Sequence, residues 1–131
     1  MATKIQAINA YRPRVKLGRR AETDELVTFI ARSTGLNERG VRQVLLELRD
    51  AAIFFNQQGR GIQLEGLGTY SPSIDLAGTI KVSHRADTAL KNALNAQGSF
   101  KGEIINRANI GKTGDELVAM WNTDNPDDPV S

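Results

Sequence analysis

Cysteine is absent from this 131-residue sequence, and His84 is its only histidine. Without cysteine the chain forms no disulfide, thiolate metal site or cysteine nucleophile, and it fits a reducing compartment. His84 follows Ser83 on a predicted strand, so the two side chains point to opposite faces and form no nucleophile–base pair. We therefore expect a protein that is not an enzyme, with no catalytic residue, metal or cofactor. His84 is expected to pack or hydrogen-bond at a strand end.

Long hydrophobic runs are also absent. No run is longer than that at residues 51–55, which is far short of the ~20 residues that a membrane-spanning helix needs. The first residues lack the apolar core of a secretory signal. These absences predict a cytoplasmic protein without membrane contact, and the length suits one domain of ordinary size.

Acidic side chains are missing from the first 20 residues, here termed the basic head, which carry six basic side chains. Residues 21–101 hold nine basic and nine acidic side chains. Residues 102–131, here termed the acidic segment, hold two basic and six acidic ones. This asymmetry indicates a polyanionic partner or a contact between the two ends of the chain. For any one of these residues, simple exposure to solvent is an equal alternative.

Two helices are predicted after the basic head. Thr23 is a good N-cap for the first helix, which ends at Gly35. Asn37 caps the second helix, which ends near Gly59. The apolar face of the second helix, at residues 41–55, is too broad for the first helix alone to cover. We infer a second covering surface, either a sheet or another subunit.

Strands are predicted over residues 60–65, 67–74 and 79–83, with a turn at residues 75–78. Because proline lacks an N–H, Pro72 indicates that the second of these strands ends there or lies at a sheet edge.

A third helix is predicted next, capped by Asp87 or Ser83. A strand at residues 100–106 and a helix opened by Thr113, in a segment with capping-box spacing, complete the pattern. Residues 125–129 are predicted to form a polar, mobile tail.

Two local motifs follow one another behind the helix pair. The first runs from an alternating strand into a glycine corner: Ile62-Gln63-Leu64-Glu65-Gly66-Leu67-Gly68-Thr69-Tyr70. The second leads into the third helix: His84-Arg85-Ala86-Asp87-Thr88-Ala89-Leu90-Lys91-Asn92-Ala93-Leu94-Asn95. The first is similar to the Gly-aromatic-Gly-Thr-aromatic corner of the HU/IHF family of bacterial DNA-bending proteins. The second resembles the closing segment of the same family.

The resemblance implies an α+β fold of HU/IHF type, with two N-terminal helices, an antiparallel sheet with a shortened arm, and a short third helix. An extra N-terminal strand and a C-terminal strand and helix would extend it. The resemblance also implies an intertwined homodimer in the bacterial nucleoid that binds double-stranded DNA through phosphate contacts, with little base readout. Arg85 and Lys91 match basic positions of the family, and Lys81 on the returning strand is a further candidate for DNA contact.

Two departures separate this sequence from the family pattern. The family's long arm carries basic residues and a tip proline that wedges between bases, whereas residues 75–78 form a short turn here, without an Arg-Asn-Pro tip. Deep wedging and a sharp bend are therefore expected to be absent. Asp87 and Thr88 stand where the family has Gly-Lys, which removes a phosphate contact and flattens the salt dependence by about one unit of slope.

The basic head lies outside the compact family pattern and is similar to an extension found in a longer HU-related branch. In one interpretation the head replaces the arm and follows a phosphate backbone; the residues concerned are Arg12, Arg14, Lys16, Arg19 and Arg20. In the other interpretation, residues 3–17 alternate loosely because they form a strand, broken at Pro13, that pairs with residues 100–106. The arginines would then be merely exposed, and we weigh the two interpretations equally.

These patterns predict three parts: a basic N-terminal strand segment at residues 1–22, an HU-like domain at residues 23–98, and a C-terminal extension at residues 99–131. Two functions stay open. The first is largely sequence-independent DNA binding of HU type. The second is a dimeric scaffold that no longer binds DNA, in which the acidic tail and Trp121 engage another protein or a neighbouring subunit. We favour the first.

Overall fold

A computed structural model describes all 131 residues of the chain. It contains two compact units. The terminal unit is formed by residues 1–19 and 101–131, and the central unit by residues 20–100. No helix in either unit has the length and apolar character needed to cross a membrane.

Helices and short antiparallel strands make up both units. In chain order they are α1 (Lys4–Tyr11), β1 (Arg14–Lys16), α2 (Thr23–Thr34), α3 (Glu38–Gln57), β2 (Ile62–Leu64), β3 (Gly68–Ile74), β4 (Ile80–Ala86), α4 (Thr88–Asn95), β5 (Glu103–Ile105) and α5 (Gly114–Asp124). A 3₁₀ turn at Arg107–Asn109 lies between β5 and α5. This order contains the helix pair, the sheet and the short third helix that the sequence predicts.

The junction between α2 and α3 follows its sequence signals. Gly35 ends α2 in the left-handed conformation, with φ at +73°, and its N–H donates to the Ala31 carbonyl. Asn37 caps α3, because its side-chain oxygen accepts a hydrogen bond from the Arg39 N–H. The predicted end of α2 at Gly35 and the predicted cap of α3 at Asn37 are both confirmed.

The start of α2 differs from the prediction. Glu22 holds the N-cap position without a side-chain cap bond, and Thr23 is the first helical residue. Asp24 and Glu25 occupy the first turn, where their negative charge meets the positive end of the helix dipole. Because this electrostatic contribution is available, the helix begins without a hydroxyl cap.

The core of the central unit is small. Val27, Ala31 and Val41 are buried, and Ile30 and Leu45 pack against them. Other large apolar side chains of the two helices stay exposed: Leu26, Phe29, Val44, Leu48, Ile53 and Phe54. The sheet therefore covers only part of the broad face of α3.

The sheet of the central unit is antiparallel, with the strand order β2–β3–β4. The β3–β4 turn lies where the sequence predicts it, and Asp75 Oδ1 accepts hydrogen bonds from the Ala77 and Thr79 N–H groups. On the β2 side, the pairing of β3 reaches only as far as Tyr70. Pro72 therefore lies where β3 pairs with β4 alone, and its missing N–H disrupts no second ladder.

Gly68 has no room for a side chain. Its φ is +149°, and a Cβ would lie 2.3 Å from the Arg85 carbonyl oxygen and 2.6 Å from His84 Nε2. We expect Gly68→Ala to lower the free energy of unfolding by about 3 kcal/mol, because the backbone is strained and β4 must move away.

Gly40→Ala is the matched control for this substitution. Gly40 lies in α3 with no atom close to the added methyl group, so the change should raise the free energy of unfolding by about 0.5 kcal/mol. Urea denaturation at equal protein concentration measures both effects. An unchanged midpoint for Gly68→Ala would contradict the close approach of β3 and β4.

The predicted strand over residues 3–17 is wrong for most of its length, because α1 occupies its first part. The Thr3 hydroxyl accepts from the Gln6 N–H, and the Gln6 side chain accepts from the Thr3 N–H. This reciprocal capping box outweighs the loose alternation of apolar residues. Only β1 is extended, and it pairs antiparallel with β5. Pairing of the basic head with residues 100–106 is thus confirmed for β1 alone.

The polar tail after α5 is folded back onto the rest of the terminal unit. Trp121 Nε1 donates to the Asp128 carbonyl at 2.7 Å, and the Val130 N–H donates to Asn122 Oδ1 at 2.7 Å. Val130 also forms an isolated parallel bridge with Ala2. These contacts hold the tail to both ends of the terminal unit.

Candidate nucleic-acid interface

The register of the β3–β4 hairpin gives it two chemically different faces, because cross-strand partners share a face and successive residues alternate. The polar face consists of the pairs Thr69–Arg85, Ser71–Ser83 and Ser73–Lys81. The apolar face consists of the pairs Tyr70–His84, Pro72–Val82 and Ile74–Ile80. Gln63 of β2 pairs with Thr69 and extends the polar face.

The polar face brings two of the predicted DNA-contacting residues together. Lys81 and Arg85 are both exposed there, about 13 Å apart at the spacing of an extended strand. Lys81 Nζ lies 3.5 Å from Asp75 Oδ2 and is partly neutralised. Arg85 makes no salt bridge, and neither does the exposed Lys91 of α4. Arg85 and Lys91 are therefore the stronger candidates of the three.

A polar depression of about 240 Å³ lies beside Arg85. Its walls also include uncharged polar side chains from β2, from β3 and from the start of α4: Gln63, Thr69 and Thr88. A guanidinium presents a fork of N–H donors that matches a phosphate group. The depression therefore offers hydrogen-bonding side chains around one cation suited to an anionic oxygen.

Asp87 also borders this depression, but its side chain has a structural role. Its carboxylate accepts a hydrogen bond from the Ala89 N–H at 2.8 Å and caps α4. Its own N–H donates to the Leu67 carbonyl of the glycine corner. The prediction left the cap between Asp87 and Ser83, and the structure assigns it to Asp87. The negative charge thus faces the positive end of a helix.

His84 packs against Tyr70, its cross-strand partner, with the ring centroids 4.7 Å apart. No group of three or more histidine, cysteine, aspartate or glutamate side chains is arranged to hold a metal ion. The packing role expected for His84 is confirmed by this contact.

An apolar groove of about 410 Å³ separates the apolar face of the hairpin from α3. Ile53 of α3 lines one side, and Pro72, Ile80 and Val82 line the other. Ile53, Ile80 and Val82 each keep half or more of their surface exposed. The groove is therefore not filled by side chains of the protein itself, and the apolar face of the hairpin stays partly exposed.

Lys4, Lys16 and Arg20 of the basic head have carboxylate partners. Lys4 Nζ lies 3.3 Å from Asp115 Oδ1, and Lys16 Nζ lies 3.7 Å from Glu103 Oε2, both within the terminal unit. Arg20, which belongs to the central unit, pairs with its neighbour Glu22 at 2.9 Å.

Arg12 and Arg14 have a different environment. Arg12 Nε donates to Asn9 Oδ1 at 3.1 Å, and Arg14 Nη1 donates to the Asn9 carbonyl at 3.2 Å. Neither makes a salt bridge, and both are exposed. Arg19 is exposed between β1 and α2. Among the predicted DNA-contacting residues of the head, Lys16 and Arg20 therefore lie beside carboxylates, whereas Arg12 and Arg14 do not.

Two asparagines that the sequence analysis missed fasten α1. Asn106 Nδ2 donates to the carbonyls of Ala10 and Arg12, each at 3.1 Å, and Asn109 Nδ2 donates to the Tyr11 carbonyl at 2.7 Å. They satisfy carbonyl groups at the end of a helix that would otherwise lack partners. The positive φ of Asn106, +60°, suits asparagine, but no local pattern reveals partners so distant in sequence.

Tyr11 and Trp121 join the first and last helices of the terminal unit. The rings meet edge-on, with centroids 6.5 Å apart. The Tyr11 hydroxyl donates to the Asp124 carboxylate, and this hydrogen bond raises the pKa of Tyr11 above its usual value because it stabilises the protonated phenol. Trp121 is thus engaged inside the unit, which argues against the predicted contact with a protein partner.

Comparisons with known proteins identify a matching family and solved structures of similar fold. Residues 3–101 match the model of the HU-HIG family, described as an HU domain fused to a wHTH, Ig or glycine-rich motif. A cocrystal structure of Anabaena HU with DNA has a TM-score of 0.50 at 14% identity, covering 58% of this chain and 99% of that chain. A mutant HU from Thermotoga maritima has a TM-score of 0.48 at 19% identity, covering 55% and 96%. No curated protein matches the sequence.

Proposed function

We propose that this chain, which belongs to the HU-HIG family of HU domains, binds double-stranded DNA as a homodimer and with little regard to base sequence. Binding would rest on neutralising phosphates rather than on reading base edges. The protein would act as a nucleoid-associated architectural protein in the bacterial cytoplasm, without catalysis. Family membership and the α+β fold are the premises from which this function is proposed.

The two-faced hairpin is the observation that carries the proposal. Arg85 and Lys81 project from its polar face among hydroxyl and amide side chains, whereas its other face is apolar and faces α3. Such a ribbon has one surface suited to a hydrated polyanion and one suited to a protein core. We assign the phosphate contacts to Arg85 and Lys91, with a weaker contribution from Lys81.

The proposed homodimer explains the apolar surface that a single chain leaves uncovered. Phe54 is 53% exposed, although its neighbour Phe55 is covered by the Arg60 guanidinium, 5.0 Å from the ring centroid. Phe29 of α2 is 70% exposed. Exposed aromatic side chains of this size are typical of an interface between subunits. A second copy of the chain is the occupant that we propose.

We propose that binding occurs with little arm-driven bending. β3 and β4 are seven residues each, and their turn contains Leu76 and Gly78 but no proline. A short hairpin reaches less far around a duplex than a long arm does. Fluorescence energy transfer between the two ends of a labelled duplex should therefore change little on binding, and a large rise in transfer would contradict this part of the proposal.

Fluorescence anisotropy with two duplexes of unrelated sequence tests the proposed function. At 50 mM salt we expect both duplexes to bind at micromolar protein or below, with dissociation constants within about threefold of each other. A preference of 100-fold for one duplex would contradict sequence-independent binding. Absence of binding to both would contradict the function itself.

A dimeric scaffold without DNA binding is the second candidate, and the charge of the central unit favours it. Residues 20–100 contain nine basic and nine acidic side chains, so this unit has no net positive charge. Lys81 is also paired with Asp75. A protein that light scattering shows as a dimer and that does not bind either duplex would support the scaffold.

The proposed division at residues 1–22, 23–98 and 99–131 predicts a pattern of limited proteolysis. Trypsin should cut first near Arg19, Arg20 and Lys101, which lie between elements, because chain outside helices and strands enters a protease site most readily. Mass spectrometry should then detect a resistant fragment of about residues 21–101. First cuts within α3, at Arg42 or Arg49, would contradict the division.

A further inference from the structure

Three ion pairs join the two ends of the chain inside the terminal unit. Each links a cation from the first 19 residues to a carboxylate of the acidic segment: Lys4–Asp115, Lys16–Glu103 and the Met1 amine–Asp128. The nitrogen–oxygen distances range from 3.3 to 3.7 Å. Exposed pairs of this kind contribute only about 0–1 kcal/mol each, so they do not by themselves hold the segments together.

The backbone provides the persistent contact. The β1–β5 register places Lys16 directly opposite Glu103, and Asn106 and Asn109 bind the carbonyl end of α1. The acidic segment is therefore fixed beside the basic head even when a single ion pair opens. Charges closer than about 10 Å interact at 0.1 M salt, so these carboxylates continue to lower the local positive potential.

We propose that the acidic segment masks part of the basic head and competes with DNA phosphates for it. Lys4 and Lys16 are the masked cations. Arg12 and Arg14, which contact Asn9 instead of a carboxylate, remain available to phosphate. Because each exposed pair is weak, DNA can displace the carboxylates at a cost in affinity. This inference rests on the DNA binding proposed above.

The double variant Glu103→Gln/Asp115→Asn tests the masking. It leaves the backbone pairing intact and frees Lys4 and Lys16. Anisotropy titrations of duplex DNA should give an affinity about tenfold higher than wild type at 50 mM salt. The slope of log K against log[salt] should steepen by up to about three to four units, because Lys4 and Lys16 occur twice in the proposed homodimer and each new phosphate contact contributes about 0.9.

A matched control separates masking from net charge. Glu116→Gln/Asp127→Asn also removes two carboxylates from the acidic segment, but neither residue pairs with a cation. We expect its affinity to rise less than threefold. In the Glu103→Gln/Asp115→Asn background, adding Lys4→Gln and Lys16→Gln should return the affinity to the wild-type value.

Each outcome decides between the proposals. A gain that is confined to Glu103→Gln/Asp115→Asn and lost with Lys4 and Lys16 supports masking, whether or not the wild type binds detectably. Equal gains in both double variants, or a gain that survives loss of the two lysines, overturn it. If the wild type binds DNA and the test variant binds no better, masking fails and DNA binding stands. If no variant binds at micromolar protein, both proposals fall.

Discussion

Replacing Arg85 and Lys91 by glutamine is expected to weaken DNA binding by at least about 100-fold at 50 mM salt. The two side chains are exposed, carry no ion pair and would occur twice in the proposed homodimer, so up to four phosphate contacts disappear together. The salt dependence should flatten by about three to four units of slope, at about 0.9 per contact. Anisotropy titrations over a salt series measure both quantities.

Arg32→Gln/Arg39→Gln is the matched control, because it removes the same charge from exposed positions of α2 and α3. We expect this control to weaken binding only a few-fold, through net charge. Equal losses in the two double variants would show that binding follows overall charge, and the assignment to the polar face would then be wrong.

Phe54→Asp is expected to raise the dimer dissociation constant by at least about a thousandfold. Deleting a buried phenylalanine side chain costs about 3–5 kcal/mol, and the variant dimer would lose two of them, one from each chain. Each new carboxylate is also unfavourable at an apolar interface. Light scattering at micromolar concentration should find a dimer for the wild type and a monomer for the variant. DNA binding should fall with dimerisation, because the phosphate contacts of two chains are then no longer linked.

Leu17→Asp controls for the loss of an exposed apolar side chain. Leu17 is 87% exposed and lies in the terminal unit, outside the proposed interface. This variant should remain a dimer and bind DNA. A wild-type protein that is monomeric at micromolar concentration would contradict the proposal that a second copy of the chain covers the exposed face of α3.

The central unit was largely predictable because its signals are local. Gly35 and Asn37 mark the junction of α2 and α3 through backbone conformation and capping, which act within a few residues. The returning strand was predicted at residues 79–83, whereas β4 extends to Ala86, so the common face of Lys81 and Arg85 became evident only from the structure. The cap of α2 was missed because acidic residues in the first turn replace a hydroxyl cap.

The terminal unit was less predictable because long-range contacts build it. The Thr3–Gln6 spacing fits a capping box, but the loose alternation of apolar residues over residues 3–17 favours a strand when only the sequence is considered. Asn106, Asn109 and Trp121 act on backbone or rings far away in sequence. Their type alone does not specify those partners, so their role emerges only from the fold.

The residues of the candidate site also differ in how far they could be predicted from the sequence. Arg85 and Lys91 were predicted from the resemblance of residues 84–95 to the family's closing segment, and both are exposed in the structure. The pairing of Lys16 with Glu103 depends on the register of two strands far apart in sequence. The sequence suggested a contact between the two ends of the chain from charge alone, but it did not identify which cations are neutralised.

A salt-series titration of the wild-type protein with duplex DNA tests the central claim most directly. If Arg85 and Lys91 of two chains neutralise phosphates, log K should fall linearly with log[salt], with a slope of about −4 or steeper. A slope near zero, or no binding at 50 mM salt and micromolar protein, would contradict the proposed DNA-binding surface.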